Sequence, residues 1–358
     1  MANPPKNSFV AYTRKVYNPL GFSKGYNFAL WFVFCGALFA FSLARLPYLN
    51  FWGIFCNPNR KGPNAAMPGE CFYFTQPGRY HVGIIIHLAT VLPGSLLAVV
   101  QFVPVIRRKF ILLHRINGYV VVVLGLLGAA SALVIAPQSA GGGLDVHTLV
   151  GLLSILFVGS LIMGFINIKR LQLEEHRAWM IRAWALAASI ITTRLILFII
   201  AIIITYMSNY YLAQPCDKIN FTLKGKDATL ALYPECAPFF SGENPDQHAV
   251  VKAKYGGNIM EIGTALNLSF GPAAWLALFI HAFAAELYLR LTPAESDRLR
   301  NISYKRQLDA GMKNPGSAGL TIDRFGDANK WTPDLVADKK VKDSSEPTEA
   351  PILCHNGL

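Results

Sequence analysis

The chain is organised around the stretch Glu175-His-Arg-Ala-Trp-Met-Ile-Arg182 and the apolar run that follows it to Thr205. His176 and Arg194 are 18 residues apart, which is five helical turns, so a helix places both side chains on one face. Their separation along the axis is about 27 Å, close to the bilayer hydrocarbon thickness of about 30 Å. An arginine at this depth is costly against lipid. We therefore predict a spanning helix whose polar face is turned to a bundle interior, a cavity or an anion.

The composition indicates a membrane protein. Hydrophobic residues make up 53% of the 358 residues and charged residues only 15%, whereas soluble domains carry about 25% charged residues. The net charge of +12 would fit a nucleic-acid partner if the basic residues formed one soluble face. They lie instead beside apolar runs, as the orientation of a membrane protein requires. We expect the lipid bilayer as a partner and no nucleic acid.

Several apolar runs reach spanning length, and they predict an all-α integral membrane protein with six transmembrane helices and a four-helix core bundle made of helices 2–5. The predicted spans are 28–49, 82–106, 112–136, 147–168, 178–207 and 262–291. Together they form a membrane domain over residues 28–291.

The basic residues orient these spans. Residues 1–27 contain no acid and form a basic N-terminus, which the positive-inside rule places in the cytosol. The outer loops are then 50–81 and 208–261. Residues 292–358 are predicted to be a mostly disordered cytosolic tail with a short helix near 295–308. Both termini are expected to be cytosolic, in a membrane of the eukaryotic secretory pathway or the plasma membrane.

The outer loops contain cysteines in pairs. Cys56 and Cys71 share the outer loop 50–81, and Cys216 and Cys236 share the outer loop 208–261. An oxidising compartment predicts two disulfides, although pairing between the loops remains open from sequence alone. Asn220-Phe-Thr is a glycosylation sequon on the same side.

Four histidines lie near the ends of helices 2 to 5. His87 and His147 fall at the outer level, and His114 and His176 fall at the inner level. Facing imidazoles on neighbouring helices of a bundle suit a haem, whose iron accepts a ligand from each side. Small residues would give a flat macrocycle room: Gly83, Gly118 and Gly151 each lie one turn from a histidine. We therefore predict haem b bound by these four histidines, with Arg194 as a further cofactor-binding residue.

Other interpretations of the same residues remain open. Histidine and arginine at helix ends also anchor helices at the headgroup level, and glycines four residues apart also let helices pack closely. The histidines are further consistent with a metal or substrate site. For Arg194, the candidate partners are Glu261, Asp145 or an anionic cofactor.

Three strings carry a resemblance to a known family: His114-Arg-Ile-Asn-Gly-Tyr119, Asp145-Val-His-Thr148, and His176-Arg-Ala-Trp-Met-Ile-Arg182 with Arg194. Over about residues 82–207 the chain resembles the membrane family called domain of unknown function 2306, and the remainder is similar to its fungal members. That family has no settled activity to transfer.

The layout of the histidines on helices 2 and 4 and on helices 3 and 5 is also similar to that of transmembrane di-haem cytochromes b. That likeness implies an outer haem on His87 and His147 and an inner haem on His114 and His176, with a small-molecule electron donor. The inner histidines lie nearer the basic membrane edge than that family's ligands, and no ascorbate-site pattern is present.

Two functions follow from the sequence, and a structural or accessory membrane protein without chemistry is the remaining alternative. The first is transmembrane electron transfer through haem b. The second, from a different class, is a cofactor-free membrane cyclase or isomerase, or a carrier, for a lipophilic small molecule, for example in fungal specialised metabolism. Whether the protein is an enzyme stays open at this point.

Overall fold

A computed structural model describes residues 7–59 and 64–333. Its elements up to the last core span are α1 Ser8–Tyr17, α2 Gly25–Leu43, α3 Glu70–Phe74, α4 Arg79–Gln101, α5 Pro104–Lys109, α6 Ile111–Ile135, α7 Leu144–Lys169 and α8 Leu173–Met207. They are followed by β1 Tyr211–Pro215, α9 Cys216–Leu223, α10 Lys226–Leu232, α11 Ala237–Ser241, β2 His248–Lys252, α12 Ile259–Arg290, α13 Pro293–Asp309 and α14 Ile322–Phe325. The protein is therefore an all-α multi-pass membrane protein, as predicted.

Six helices in the described ranges are long and apolar enough to cross a membrane: α2, which continues as a helical turn to Leu49, α4, α6, α7, α8 and α12. Many large apolar side chains on these helices are exposed, for example Phe32 at 64%, Ile155 at 70% and Phe279 at 72%. Water would penalise so much exposed apolar surface, whereas lipid covers it.

The observed spans differ from the predicted ones mainly at their ends. The second span was predicted over 82–106, but α4 ends at Gln101 and Pro104 begins a separate short helix. Proline is favoured in the first turn of a helix and cannot continue one without losing a backbone hydrogen bond. The fifth span was predicted over 178–207, whereas α8 contains 35 residues. It begins at Leu173, before the apolar run, and therefore includes His176.

The described chain divides into two compact units, whose boundaries fall within α7, α8 and α12. Within the described residues, unit 1 comprises 7–59, 64–158 and 183–284, and unit 2 comprises 159–182 and 285–333.

The core of unit 1 is an apolar cluster from α7, α8 and α12, which includes Leu149, Leu197, Ala201, Ala273 and Leu278. Two smaller clusters support the connecting segments, and each contains a disulfide. One holds the segment between α2 and α4 with Cys56 and Cys71. The other holds the segment between α8 and α12 with Cys216 and Cys236. The latter segment also pairs β1 antiparallel with β2, a sheet that the sequence analysis did not predict.

Unit 2 corrects the prediction of a mostly disordered tail from residue 292. The short helix expected near 295–308 is present as α13, and the chain after it is held by fully buried polar side chains. Gln172 binds backbone groups of Gly316 and Gly319 at 2.9 and 2.8 Å, and Gln307 accepts from Gly316 N at 2.6 Å. Hydrogen bonds from glutamine side chains to the backbone leave no periodic pattern of apolar residues, so the hydropathy pattern could not show that this part of the chain is held in place. Residues 334–358 lie outside the described residues.

Candidate functional site

Arg194 lies in the part of the membrane-spanning helix α8 that belongs to unit 1, and its side chain is partly buried. Among the described residues it makes a hydrogen bond from Nη1 to Met67 Sδ at 3.7 Å, and its guanidinium stacks on the Phe270 ring at 5.4 Å. A thioether is a weak acceptor, and a guanidinium has five N–H donors. Arg194 therefore keeps most of its donor capacity for a group that the described protein does not supply.

Glu70 provides the negative charge that acts on Arg194. It begins α3, one residue before Cys71, so the disulfide between Cys56 and Cys71 restrains its position. Its Oε1 accepts the N–H of Ala140 at 2.7 Å and its Oε2 accepts the N–H of Met67 at 3.0 Å. Both oxygens are thus held by backbone donors from two different connections.

Burial raises the pKa of Glu70 above its ordinary value. The two backbone hydrogen bonds and the positive charges of Arg194 and Lys218 act in the opposite direction without reversing that shift. No ion pair within 4 Å joins Glu70 to Arg194 among the described residues, so the carboxylate is a neighbouring charge that leaves the guanidinium donors unoccupied.

Lys218 is the second cation near Glu70. It is 6% exposed, donates from Nζ to Gln214 Oε1 at 3.0 Å and stands over the Tyr73 ring at 5.4 Å. Burial lowers the pKa of Lys218, while the negative charges of Glu70 and Asp217 favour its charged form. Arg194 has only a weak thioether acceptor, whereas Lys218 donates to an amide oxygen.

One face of α12 completes the surroundings of Arg194. Phe270 stacks on the guanidinium, and one turn earlier Asn267 packs against Gly141, beside the Ala140 N–H that binds Glu70. Thr264 lies one further turn back. The Thr264 hydroxyl and Asn267 Oδ1 are buried and have no hydrogen-bonding partner within the described chain.

The acids that the sequence suggested for Arg194 have other roles. Glu261 binds the N–H of Asn258 through its carboxylate at 2.8 Å and so caps the start of α12. The Asp145 carboxylate lies against Gly271, where a β-carbon would collide with it. The sequence analysis missed Glu70 because no hydrophobic periodicity marks an acid in a connecting segment. The available signal was its place beside Cys71, in a segment that a disulfide would fix.

The two predicted disulfides are confirmed: Cys56 pairs with Cys71 and Cys216 with Cys236, which settles the pairing within each loop. Cys35 is a free thiol on α2. Asn220 lies in the helix α9 and is partly buried, and its glycosylation stays a prediction.

His87 is the predicted haem ligand whose surroundings are best defined. Its Nδ1 lies 3.2 Å from Gly128 O and 3.3 Å from Ser131 Oγ, both on α6. A carbonyl can only accept, so Nδ1 carries the proton and Nε2 keeps its lone pair, the tautomer that a metal-ligating histidine uses.

The glycines beside His87 lie where α4 packs against α6, and the haem itself stays a prediction. A β-carbon on Gly83 would lie 2.8 Å from Ile135 Cγ2, and one on Gly94 would lie 3.2 Å from Leu124 Cβ. On α6, a β-carbon on Gly128 would lie 2.8 Å from Val91 Cγ2. These glycines let α4 and α6 touch, so no gap for a macrocycle is left between the two helices there.

The other three histidines differ in their surroundings. In unit 1, His147 Nε2 on α7 is buried without a partner in the described chain, and Gly151 beside it has open space. His114 lies in the first turn of α6. In unit 2, His176 Nδ1 donates to Gly164 O at 2.9 Å. Among described residues no group of three or more His, Cys, Asp or Glu is placed to hold a metal ion, and a haem with two histidine ligands requires no such group.

Comparisons with known proteins found a matching family model and a similar protein. Residues 84–223 match the family model described as Predicted membrane protein (DUF2306), which confirms the resemblance that the histidine–arginine strings indicate. The chain is also similar to a protein named Ava biosynthesis cluster protein G from Aspergillus versicolor. The two are 24% identical over 333 residues, which cover 82% of this chain and 97% of that protein. No solved structure matches.

Proposed function

We propose that this membrane protein binds a lipophilic small molecule through an anionic group held by Arg194. The bound molecule is then cyclised or isomerised, or carried, in fungal specialised metabolism. The observation that carries the proposal is the guanidinium of Arg194, which lies within a spanning helix and finds only a thioether and an aromatic ring among the described residues. A planar fork of N–H donors suits a carboxylate, an enolate or a phosphate.

The surroundings of Arg194 favour a lipophilic ligand. Met67 and Phe270 contact it, and both pack in the apolar cluster that also contains Leu197 and Ala201, so an apolar body attached to the anion would meet similar groups. An intramembrane arginine is also the kind of residue that marks a substrate path.

Glu70 is the candidate for proton transfer at this site. Burial raises its pKa, so this carboxyl exchanges a proton closer to neutral pH than an exposed glutamate does. A cation that stabilises a developing oxyanion and a carboxyl that moves a proton are the two groups that an isomerisation or cyclisation through an enolate requires. If the protein is a carrier, Glu70 instead sets the charge balance against which the ligand anion binds.

The similarity to a protein named for a biosynthesis cluster supports a role in a biosynthetic pathway. The test is untargeted mass spectrometry of a host strain that lacks the gene, complemented with either wild-type or Arg194→Leu protein. We expect the deletion strain to accumulate a lipophilic acid, and wild-type but not Arg194→Leu protein to remove it. Identical metabolite profiles in all strains would contradict the proposal.

Transmembrane electron transfer through haem b is the second candidate. The observation in its favour is that Nδ1 of His87 and Nδ1 of His176 each lie within hydrogen-bonding distance of a carbonyl oxygen, which would leave each Nε2 available to iron. The close contact of α4 and α6 at Gly83 and Gly128 argues against it at His87. An absorbance spectrum of purified protein before and after dithionite decides: reduced-haem bands that disappear in His147→Ala would establish a haem, and a colourless protein after expression with ample haem would exclude it.

A further inference from the structure

We propose that Thr264 and Asn267 form a second subsite that binds a hydroxyl group of the same lipophilic acid. The inference rests on the proposed function of Arg194 and adds a substrate class, a hydroxylated lipophilic acid. Both residues belong to α12 in unit 1 and lie one helical turn apart, so their side chains share a face.

The first observation is that these two groups are buried and unpaired. Thr264 is 0% exposed and Asn267 is 5% exposed, yet neither the Thr264 hydroxyl nor Asn267 Oδ1 has a hydrogen-bonding partner in the described chain. An unsatisfied buried polar atom costs about 1–3 kcal/mol, so two neighbouring ones need an explanation.

The usual local partner of a helical hydroxyl is absent at Thr264. Ser269 on the same helix donates to the carbonyl of Ala265 at 2.7 Å, and Thr193 on α8 donates to Ser189 at 2.9 Å. Such bonds to the preceding turn are the ordinary way in which a buried threonine is satisfied. The Thr264 hydroxyl is not used in this way and remains free for another group.

The second observation is that the pair and the Arg194 site share the same surrounding segments. Pro68 packs on Gly263, next to Thr264, where a β-carbon would lie 3.0 Å from Pro68 O; the preceding residue, Met67, contacts Arg194. Phe270, one turn beyond Asn267, stacks on the Arg194 guanidinium.

The connection between α6 and α7 also joins the two sites. A β-carbon on Gly141 would lie 2.8 Å from Asn267 Cβ, and the adjoining Ala140 N–H binds Glu70. Gly141 has φ of +85°, which few other residues adopt, so this close approach depends on glycine.

The chemistry of the pair selects its ligand. Asn267 Oδ1 can only accept, and the Thr264 hydroxyl can both donate and accept. An alcohol matches both, since it donates to the amide oxygen and accepts from the threonine. A site built to bind a hydroxyl discriminates against the analogue that lacks one, because its buried groups are then left unpaired.

The test uses purified full-length protein in lipid nanodiscs and measures equilibrium binding of dodecanoic acid and of hydroxydodecanoic acids with the hydroxyl at successive positions. We expect at least one hydroxy acid to bind about tenfold more tightly than dodecanoic acid, the effect of one good hydrogen bond. The near-isosteric variants Thr264→Val and Asn267→Leu should lose this preference and keep the affinity for dodecanoic acid. Ser269→Ala is the matched control and should retain the preference.

The outcomes separate this inference from the proposed function. If wild-type protein binds none of the acids, the role of Arg194 is wrong. If it binds dodecanoic acid but prefers no hydroxy acid, the subsite is wrong and the two atoms bind only water.

Thermal unfolding without ligand adds a check: Thr264→Val and Asn267→Leu should unfold at the same or a higher temperature than wild type, because an apolar side chain removes an unpaired group. Unfolding at clearly lower temperatures would assign them a structural partner and overturn the subsite.

Discussion

At the scale of single residues, the site is defined by which charges have partners. Arg182, on the same helix as Arg194, binds both oxygens of Glu286 at 2.6 and 3.0 Å and is thereby satisfied. Arg194 has no such acceptor among the described residues, and its neighbour Glu70 is bound by two backbone N–H groups instead. Because burying an unpaired cation is costly, Arg194 is difficult to explain as a packing residue alone.

A prediction at this scale concerns the pH dependence of stability. Because burial raises the pKa of Glu70 above its ordinary value of 4.5, the folded state retains a proton that the unfolded chain releases. The contribution of Glu70 to stability is thus fully present below the ordinary value and is lost as pH rises through the raised value. Thermal unfolding followed from about pH 4 to pH 8 should therefore decline less steeply in Glu70→Gln than in wild type.

At low pH the same variant should be less stable than wild type by about 1–3 kcal/mol, because an amide nitrogen cannot accept a backbone N–H, and this difference should shrink as pH rises. Parallel curves for the two proteins would refute the assignment of a raised pKa to Glu70.

At the scale of elements, glycines decide how α4 meets α6. Gly83 and Gly128 let the two helices touch, whereas Gly151 on α7 faces open space. Gly83→Ala should therefore lower the free energy of unfolding by about 1–3 kcal/mol through overpacking, and the control Gly151→Ala should not. Denaturant titration of both variants provides the measurement. Equal effects would contradict helix packing as the role of Gly83.

The disulfides test the second element-scale claim, that the connection between α2 and α4 builds the site. Cys56 and Cys71 are separated by 15 residues, and a loop of that length gains about 3 kcal/mol from its cross-link. We expect the double variant Cys56→Ser/Cys71→Ser to lose stability and affinity for a lipophilic acid, because Met67 and Glu70 lie in or beside that loop. Cys35→Ser, which removes a free thiol, should behave like wild type, and unchanged affinity in the double variant would contradict this role.

At the scale of the whole molecule, hydropathy and charge were sufficient to predict six spans, because each span needs a long apolar run. Two disulfides were also predicted from the cysteine positions, although the structure was needed to show that each pairs within its own loop. What escaped prediction depends on tertiary contacts without a periodic signal. Glu70 acts on Arg194 from a segment that the Cys56–Cys71 disulfide cross-links. Gln172 and Gln307 hold the chain after α13 through hydrogen bonds to its backbone. The role of the glycines near His87 was ambiguous in the sequence, because close helix packing and space for a cofactor both require a small residue.

The orientation of the whole molecule gives a further prediction. Basic residues flank one end of the spans, so both termini should face the cytosol. A C-terminal tag should be protected from protease in sealed right-side-out vesicles, and Asn220→Gln should remove a glycan seen as a gel shift. Cleavage of the tag from outside would overturn this orientation.

The most direct test of the central claim is the affinity of the purified protein for dodecanoic acid, measured beside its neutral analogue dodecanol. We predict that wild type prefers the acid by at least about tenfold, as one charge-assisted hydrogen-bonded pair implies, that Arg194→Leu abolishes the preference, and that Arg194→Lys retains part of it. Arg182→Leu, which removes an arginine already bound to Glu286, should keep the wild-type preference. Equal binding of acid and alcohol by wild type, or an undiminished preference in Arg194→Leu, would contradict the account.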